Sequence, residues 1–400
     1  MIFFHNFINL VNWLLDFIKN PNTLIFIFVF IILYNLILIT IFDKKALRLI
    51  KSFQSIRNLT LKDLKTIPKI TFVIPAWNEN ERLDEVLRNL KNLNYPKFEV
   101  ILNAGGNSIT NRIADSYKTV HGFTILKQKK GKGKIRAIND CLKYVQGGLV
   151  YIIDADVIIS DELLLNMIFQ IINKDEDIVV SAPKPHKNIR NKDLVKYLYM
   201  TQNPEFRKNP SQLAKTVGPN TIYNYNVIKT IGKFSEGIYS DDNLVIAEDL
   251  FNYNYHIFYL RGYLGEFYIA STVSEYLNQN IRWIGNSYLR KKRKRKRVYQ
   301  LKFFLYFFLS IYIYIFPIFA FIHITFFWLY LFLLVQLYSK RIRKIIFFKK
   351  LTKDYNFIKT NTVFYLKIFF YIYLESLAKI LAAIEIIFLK KKYKKRKNLD

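Results

Sequence analysis

Residues 149–156 of this 400-residue chain read Leu-Val-Tyr-Ile-Ile-Asp-Ala-Asp, an apolar run that ends in two carboxylates. A short, continuous apolar run is typical of a strand that is buried on both faces of a parallel sheet. Further apolar runs alternate with helical patterns, the runs at 69–75, 98–102 and 124–126 and the helices at 79–91, 109–120, 133–145 and 161–172. This alternation predicts an α/β domain with a doubly wound, mostly parallel sheet that binds ligands at the carboxyl ends of its strands.

The two carboxylates after the run, Asp154 and Asp156, can face one divalent cation and the phosphates that it bridges. Acids in this position also occur as caps of a following helix. Here the next helix has a better N-cap in Ser160, so capping does not explain the pair.

Other motifs surround this pair. Residues 73–79 (V-I-P-A-W-N-E) predict a strand, a proline turn and the start of a helix. Lysines and glycines at 129–134 precede a helix and fit an anion site or a solvated basic turn. Later come S-D-D-N at 240–243, a Glu-Asp pair at 248–249, and Q-N-I-R-W at 279–283.

The apolar segments near both ends predict membrane contact. Residues 22–42 carry no charge and are long enough to cross a bilayer, and the basic residues after them place the following domain in the cytoplasm. Within residues 1–20 the polar side chains recur at steps of three and four among apolar ones, so they form one stripe on a helix, which predicts an interfacial helix. The apolar segment 303–338 is too long for one crossing. Because Pro317 lies near its middle, we expect a helical hairpin that returns to the basic residues at 340–344. The helix at 361–389 is either interfacial or a span whose polar stripe packs against protein.

Composition narrows the class of protein. A hydrophobic content of 52% excludes a disordered chain, and the single cysteine, Cys141, excludes a disulfide scaffold. Much of the net charge of +31 lies in basic runs at 290–297 and 390–397, next to apolar segments. This position favours a membrane anchor over nucleic-acid binding. We therefore expect a membrane part at 1–48, a catalytic domain at 65–290, and a basic anchor with membrane helices at 291–400.

The order I-P-A-W-N-E, K-I-R-A-I-N, D-A-D, S-D-D and Q-N-I-R-W over residues 69–290 resembles the membrane-bound family 2 glycosyltransferases. These inverting enzymes carry a GT-A nucleotide-sugar domain, and they include cellulose, chitin and hyaluronan synthases and ceramide glucosyltransferase. The resemblance implies a GT-A fold flanked by transmembrane or interfacial helices. It also implies a nucleotide-sugar donor and Mg²⁺ or Mn²⁺ as cofactor.

The resemblance assigns the donor-side residues as follows. The nucleoside pocket would be lined by Pro75, Ala76 and Glu79, with Lys134 near the diphosphate. Asp154 would contact the donor and the metal ion, and Asp156 would be the more direct metal ligand. Residues 217–221 would form the donor-sugar loop.

The same resemblance assigns the acceptor side. Asp242, with Asp241 beside it, would supply the general base, and Glu248 and Asp249 form a competing pair. The diphosphate and the acceptor end would be held by Gln279, Arg282 and Trp283.

Two departures from the family pattern concern specificity. The family has an acid after the second strand, but residues 102–107 here contain none, which leaves the amides of Asn103 and Asn107 as candidates for the base contact. The acid motif is Ser-Asp-Asp rather than Thr-Glu-Asp.

The sequence as a whole predicts a multi-pass protein of the cell membrane with a cytoplasmic catalytic domain and no nucleic-acid partner. Its acceptor is expected to be a membrane-associated lipid or glycan. The first hypothesis is single transfer to a lipid, the second is a processive polysaccharide synthase, and the third is an inactive scaffold of the same fold.

Overall fold

The computed structural model describes residues 9, 20–52, 56–130, 133–202, 213–236, 242–262, 264–293, 297–321, 324–351 and 358–388. Two compact units make up the chain. The helical unit is drawn from Met1–Leu49, Asn191–Pro210 and Ala270–Phe388, and the sheet unit from Ile50–Arg190, Ser211–Ile269 and Leu389–Asp400. The chain therefore enters the helical unit three times, rather than in the two terminal blocks that the sequence predicts.

The strands belong to the sheet unit. They are β1 (Ile70–Trp77), β2 (Phe98–Gly105), β3 (Phe123–Lys127), β4 (Leu149–Ile153), β5 (Val157–Ile158), β6 (Ile178–Ser181), β7 (Lys184–Pro185), β8 (Leu213–Ala214), β9 (Asn220–Asn224), β10 (Ile257–Leu260) and β11 (Glu266–Phe267). The main sheet has the order β3-β2-β1-β4-β9-β6-β10-β8, and a small sheet has the order β5-β11-β7. In the main sheet β1 pairs in parallel with β2 and β4, β2 with β3, and β6 with β10.

The helices, in chain order, are α1 (Pro21–Ile37), α2 (Lys44–Ser52), α3 (Arg82–Lys91), α4 (Ser108–Ser116), α5 (Gly133–Leu142), α6 (Asp161–Lys174), α7 (Asp193–Gln202), α8 (Tyr225–Ile231), α9 (Asp242–Asn252), α10 (Val273–Arg293), α11 (Arg297–Ala320), α12 (Ile324–Leu351) and α13 (Thr362–Phe388). A π-helical turn, Leu38–Asp43, joins α1 to α2. Helices α3 to α6, α8 and α9 lie in the sheet unit.

The mostly parallel α/β sheet confirms the predicted fold class. The four predicted strands are β1 to β4, and the four predicted helices are α3 to α6. Strands β1, β2 and β4 are apolar runs buried on both faces for most of their length, whereas β3 is only partly buried. The side chain of Ser160 caps α6 by accepting a hydrogen bond from Leu163 N at 3.1 Å, as the sequence predicts.

Strand β9 lies where the sequence predicts part of the donor-sugar loop. It runs antiparallel between β4 and β6, and Asn220 and Thr221 are buried within it. The side-chain oxygen of Asn220 accepts a hydrogen bond from Ser181 N at 3.3 Å, whereas its side-chain nitrogen is buried with no partner among the described residues. Residues 217–219 remain outside the strand.

In the helical unit the polar stripe of α13 packs against protein. Lys367 Nζ lies 2.6 Å from Asp193 Oδ2 of α7. Glu375 accepts a hydrogen bond from Tyr197 Oη at 2.6 Å and another from Arg341 of α12. Of the two alternatives left open by the sequence, the structure therefore has the protein-packed stripe.

The basic segment of α12 is also paired inside the helical unit. Arg343 donates to both carboxylate oxygens of Asp43, at 2.7 and 2.8 Å. Lys344 Nζ donates to the carbonyl of Thr201 at 2.8 Å. These side chains therefore hold helices together within the unit.

Two helical segments of the described chain are long and apolar enough to cross a membrane, Ile25–Ile50 and Leu301–Phe319. Pro317 lies inside α11, which continues to Ala320, so the break between α11 and α12 comes after the proline. The predicted interfacial helix at 1–20, apart from residues 9 and 20, and the basic run at 390–397 lie outside the described residues.

Candidate active site

The carboxyl ends of four neighbouring strands form one edge of the sheet unit. Because β1 to β4 are parallel, their last residues, Trp77, Gly105, Lys127 and Ile153, lie on the same side of the sheet, with β4 ending before the level of Trp77. Ligands of doubly wound sheets bind outside this edge. The predicted metal and donor residues after β1 and β4 therefore meet there.

Asp154 leaves β4 in a tight turn. Its N–H donates to the carbonyl of Pro219 at 2.8 Å, and its own carbonyl accepts from Val157 N at 3.2 Å. Lys134, in the first turn of α5, places Nζ 2.6 Å from Asp154 Oδ1. Both side chains stay about a third exposed, at 27% for Lys134 and 30% for Asp154, so this ion pair is open to a ligand.

Lys134 interacts electrostatically with four carboxylates at this edge of the sheet. Burial lowers the pKa of Lys134, but the carboxylates of Asp154, Asp242 and Asp156 outweigh it, and the pKa lies above its ordinary value. Burial, together with the charges of Asp154 and Glu79, raises the pKa of Asp156 to about 7. Burial and then Asp154 raise the pKa of Glu79 as well. The site is a region of excess negative charge that favours a bound cation.

Asp242 is the first residue of α9, and its charge acts on Lys134. The competing acid Asp249 accepts hydrogen bonds from Ser235 N at 2.6 Å and from Ser235 Oγ at 2.7 Å, so its carboxylate is occupied by Ser235. Asp241 lies outside the described residues.

A cavity of about 720 Å³ opens beside these acids. It is lined by Trp77 and Asn78 after β1, Gly105 and Gly106 after β2, Asn111 of α4, and residues 127–130 after β3. Among the described lining residues there is no carboxylate, and lysines and amides supply the polar groups. Sequence reasoning missed Asn111, Lys127 and Gln128, which fall in no recognisable motif, whereas the other lining residues lie in the stretches 73–79, 102–107 and 129–134.

The floor of this cavity depends on two glycines. A Cβ on Gly105 would lie 2.8 Å from the carbonyl oxygen of Gln128 and 2.9 Å from the Trp77 ring. Gly106 has a φ of +98°, and a Cβ there would lie 2.2 Å from Asn78 Oδ1. Asn78 itself has a φ of 56°, and its N–H donates to the carbonyl of Gly105 at 3.1 Å. The space next to Trp77 therefore exists because these positions lack side chains.

Several predicted contacts to the nucleoside do not line this cavity. Pro75 and Ala76 are buried in β1, and Ala76 has no exposed surface. The amide of Asn103, 2% exposed, donates to the carbonyl of Ala137 at 3.1 Å, facing α5.

Asn107 is likewise occupied, because it caps α4. Its oxygen accepts from Thr110 N and Oγ1, both at 2.8 Å, and its nitrogen donates to the carbonyl of Glu79 at 3.1 Å. Neither Asn103 nor Asn107 lines the cavity, and their contact with the base stays a prediction. The amides at the cavity belong to Asn78, Asn111 and Gln128.

The acceptor-side motif lies in the helical unit. Gln279, Arg282 and Trp283 are on α10, so the predicted helical spacing is confirmed. Trp283 is 46% exposed, and the side-chain oxygen of Gln279 is buried without a hydrogen-bond partner in the described part of the chain. Their contact with the diphosphate stays a prediction.

The residues at the sheet edge fit a divalent ion that shares its ligands with a substrate. Among the described residues no group of three or more His, Cys, Asp or Glu side chains is arranged to hold a metal ion. Mg²⁺ is commonly bound by one or two carboxylates together with substrate phosphates and waters. Asp154 and Asp156 supply that number of carboxylates.

Comparison with known proteins gives two family matches. Residues 71–232 match the sequence model of "Glycosyl transferase family 2", and residues 196–339 match that of "Glycosyl transferase family group 2". Over residues 71–339 the chain is therefore similar to family 2 glycosyltransferases.

The chain is also similar to curated polysaccharide synthases. The poly-β-1,6-N-acetyl-D-glucosamine synthase of Staphylococcus epidermidis is 25% identical over 239 residues, which cover 57% of either chain. The synthase of Staphylococcus aureus (strain COL) is 25% identical over 225 residues, covering 54% of this chain and 53% of the relative. The chain spans little more than half the length of the curated relatives that it matches.

Among solved structures, a mannosyltransferase from Pyrobaculum calidifontis in complex with GDP-Man and Mn²⁺ has the same fold. It aligns with a TM-score of 0.54 and 15% identity, over 92% of this chain and 99% of its own. This likeness supports the GT-A fold of the sheet unit.

Proposed function

We propose that this chain is a membrane-anchored, inverting glycosyltransferase that moves one sugar from a nucleotide-diphosphate sugar to a lipid at the membrane surface. One observation carries the proposal. Lys134 lies within the field of Asp154, Asp156 and Asp242 at the carboxyl edge of the sheet, beside a cavity that can hold a nucleoside. Burial and neighbouring carboxylates raise the pKa values of Glu79 and Asp156, and a passive fold has no need for that arrangement, because it costs stability.

The chemistry requires each of these groups. The bond between the anomeric carbon and the donor phosphate breaks, and the acceptor oxygen forms the new bond from the opposite face, which inverts the carbon. Asp242 takes the proton of the acceptor hydroxyl. Lys134 attracts the leaving diphosphate, and Arg282 is proposed to bind the same group.

Asp154 and Asp156 would hold Mg²⁺ or Mn²⁺. When bound, the ion supplies positive charge to the departing diphosphate. The cavity beside Trp77 would take the nucleoside, with the base against the indole ring. Its lysines and amides favour a base that presents carbonyl oxygens, such as uracil, thymine or guanine.

Attachment to the membrane is supported by helix α1. Its apolar side chains are exposed within the described structure, for example Ile25 at 62% and Phe26 at 69%. One side of α1 contacts α12, where Asn35 Nδ2 donates to Ser339 Oγ at 3.3 Å, and the exposed apolar side chains on the rest of the helix are suited to lipid. We propose a multi-pass protein of the cell membrane with a cytoplasmic sheet unit.

A processive polysaccharide synthase is the second candidate, and the curated relatives favour it because they are named as polymer synthases. The two candidates differ in the product. A lipid acceptor gives one organic-extractable glycolipid of constant size. A processive enzyme gives chains that lengthen with time.

The test is nucleotide release from radiolabelled UDP-, GDP- and dTDP-sugars by detergent-purified protein, with Mn²⁺ or Mg²⁺ and total lipid extract. The matched control is Asp156→Asn. Release from one donor by the wild type alone supports a glycosyltransferase, and the extracted product then distinguishes the two acceptors. No release from any donor, with or without lipid, would favour the inactive scaffold.

A further inference from the structure

A second layer of side chains lies behind Asp156, where the small sheet meets helix α3. Tyr268, which follows β11, donates its N–H to the carbonyl of Asp156 at 3.2 Å. The neighbouring strand β7 leads to His186, whose N–H donates to the carbonyl of Phe267 at 2.9 Å. The backbone next to Asp156 is thus fixed by the same segment that carries Tyr268.

The Tyr268 side chain is held on several sides. Its ring stacks on His186 with centroids 4.4 Å apart and an angle of 24°. Its hydroxyl donates to Glu85 Oε2 at 2.6 Å, and the other oxygen of Glu85 lies 3.1 Å from His186 Nε2. His186 is 1% exposed and Glu85 is 39% exposed, so this framework runs from the protein interior to the surface.

Arg82 of α3 rests on this framework. Its guanidinium carbon lies 4.3 Å from the centroid of the Tyr268 ring, a cation–π contact that favours one placement of a long side chain. Tyr268 therefore holds both the backbone of Asp156 and the guanidinium of Arg82.

The charge of Arg82 acts on the acidic site. Arg82 lies three residues after Glu79 and on the ring of Tyr268, whose N–H is bonded to the Asp156 carbonyl, and it opposes the burial and the carboxylate repulsion that raise the pKa values of both acids. Arg82 and Lys134 are the two cations that act on both of these acids. Lys134 forms an ion pair of 2.6 Å with Asp154, whereas Arg82 makes a cation–π contact with the ring of Tyr268.

We propose that Arg82, placed by Tyr268, is a positioning residue that offsets the negative charge around Asp156 and so sets the balance between metal binding and nucleotide binding. The inference rests on the proposed function, because it concerns the same site. A fixed cation near the carboxylates repels a divalent ion but attracts a diphosphate. Its removal therefore has opposite effects on the two ligands, whereas a purely structural loss would weaken both.

The test uses detergent-purified full-length protein, with Mn²⁺ binding followed by electron paramagnetic resonance. In Arg82→Gln the Kd for Mn²⁺ alone is expected to fall about threefold or more, since a unit charge near a divalent ion has been removed. The Kd for UDP or GDP at saturating Mn²⁺ is expected to rise. Arg82→Lys, which keeps the charge, should restore both values toward wild type.

The matched control is Arg88→Gln on the same helix. Arg88 is 67% exposed and pairs with Asp84, so neither Kd should change. Tyr268→Phe keeps the ring under Arg82 but loses the bond to Glu85, and it should shift both constants in the same directions as Arg82→Gln. This variant decides the question if Arg82→Gln does not fold.

Equal or weaker Mn²⁺ binding in folded Arg82→Gln would overturn the inference and leave the glycosyltransferase proposal standing. If the wild type binds a nucleoside diphosphate without any Mn²⁺, the inference and the metal-dependent part of the proposed function both fail. If it binds neither, the proposed function itself fails.

Discussion

At the scale of single residues, two acids after the sheet edge compete for the role of general base. Asp242 acts on Lys134 at the site, while Asp249 is bound to both polar groups of Ser235. The neutral amide of Asp242→Asn cannot take a proton, so kcat should fall by about 10²–10⁴-fold while nucleotide affinity is kept. Initial rates and nucleotide binding measure the two effects separately.

Asp249→Asn is the comparison for that variant. It loses a charge that supports a loop, so it should lower the melting temperature more than the rate. The assignment would be wrong if Asp249→Asn lost activity by orders of magnitude while Asp242→Asn kept it.

The raised pKa of Asp156, about 7 instead of 3.8, gives a prediction for stability. The folded state holds a proton that the unfolded chain has lost, so between these two pH values the free energy of unfolding decreases as pH rises. In EDTA, the melting temperature of the wild type should drop between pH 5 and pH 8 by at least about 2–4 °C, the change produced by 1 kcal/mol in a domain of this size. Thermal melts at several pH values measure it.

Asp156→Asn has no such proton to lose, so its melting temperature should change less over the same range. Saturating Mn²⁺ should raise the melting temperature of the wild type most at pH 8, where the carboxylates are ionised. A wild-type profile in EDTA as flat as that of the variant would contradict the prediction.

At the scale of elements, the floor of the nucleoside cavity can be tested with two glycines that share a positive φ. Gly106→Ala would strain the backbone and place a Cβ against Asn78, whereas Gly122→Ala strains the backbone with its nearest neighbouring atom 3.8 Å away. Both should lose about 1 kcal/mol of stability. Only Gly106→Ala should also weaken nucleoside diphosphate binding, by about tenfold.

Isothermal titration with UDP and GDP, beside thermal melts, separates the two effects. Similar affinities for the two alanine variants would remove the cavity from the donor site. Loss of affinity in Gly122→Ala alone would place the nucleoside elsewhere.

The same elements show why part of the molecule could be predicted from the sequence. Strands β1, β2 and β4 are apolar on both faces, so burial decides them locally, and the acids that follow β4 are placed by the strand itself. Strand β9 could not be recognised, because the side-chain oxygen of its polar Asn220 is bonded to Ser181 N, a partner distant in sequence. The contact of Arg82 with Tyr268 could not be predicted either, because the two residues are distant in sequence and share no motif.

At the scale of the whole molecule, the helical unit is assembled from distant parts of the chain, and one ion pair joins them. Asp43, at the end of the N-terminal apolar segment, binds Arg343 of α12, 300 residues away. Their side chains are only 4% and 11% exposed. Breaking such a buried pair on one side typically costs about 3–5 kcal/mol, because the other charge is left unpaired.

Asp43→Arg should therefore destabilise the detergent-purified protein strongly, by placing two cations together. Arg343→Asp should do the same with two acids, and the double variant should recover much of the loss because it restores opposite charges. Lys367→Asp is the comparison, since the Lys367 pair with Asp193 is half exposed and should cost far less. Melting temperatures of the four proteins give the coupling energy. A double variant no more stable than either single one would mean that the two ends of the chain are held together by apolar packing rather than by this pair.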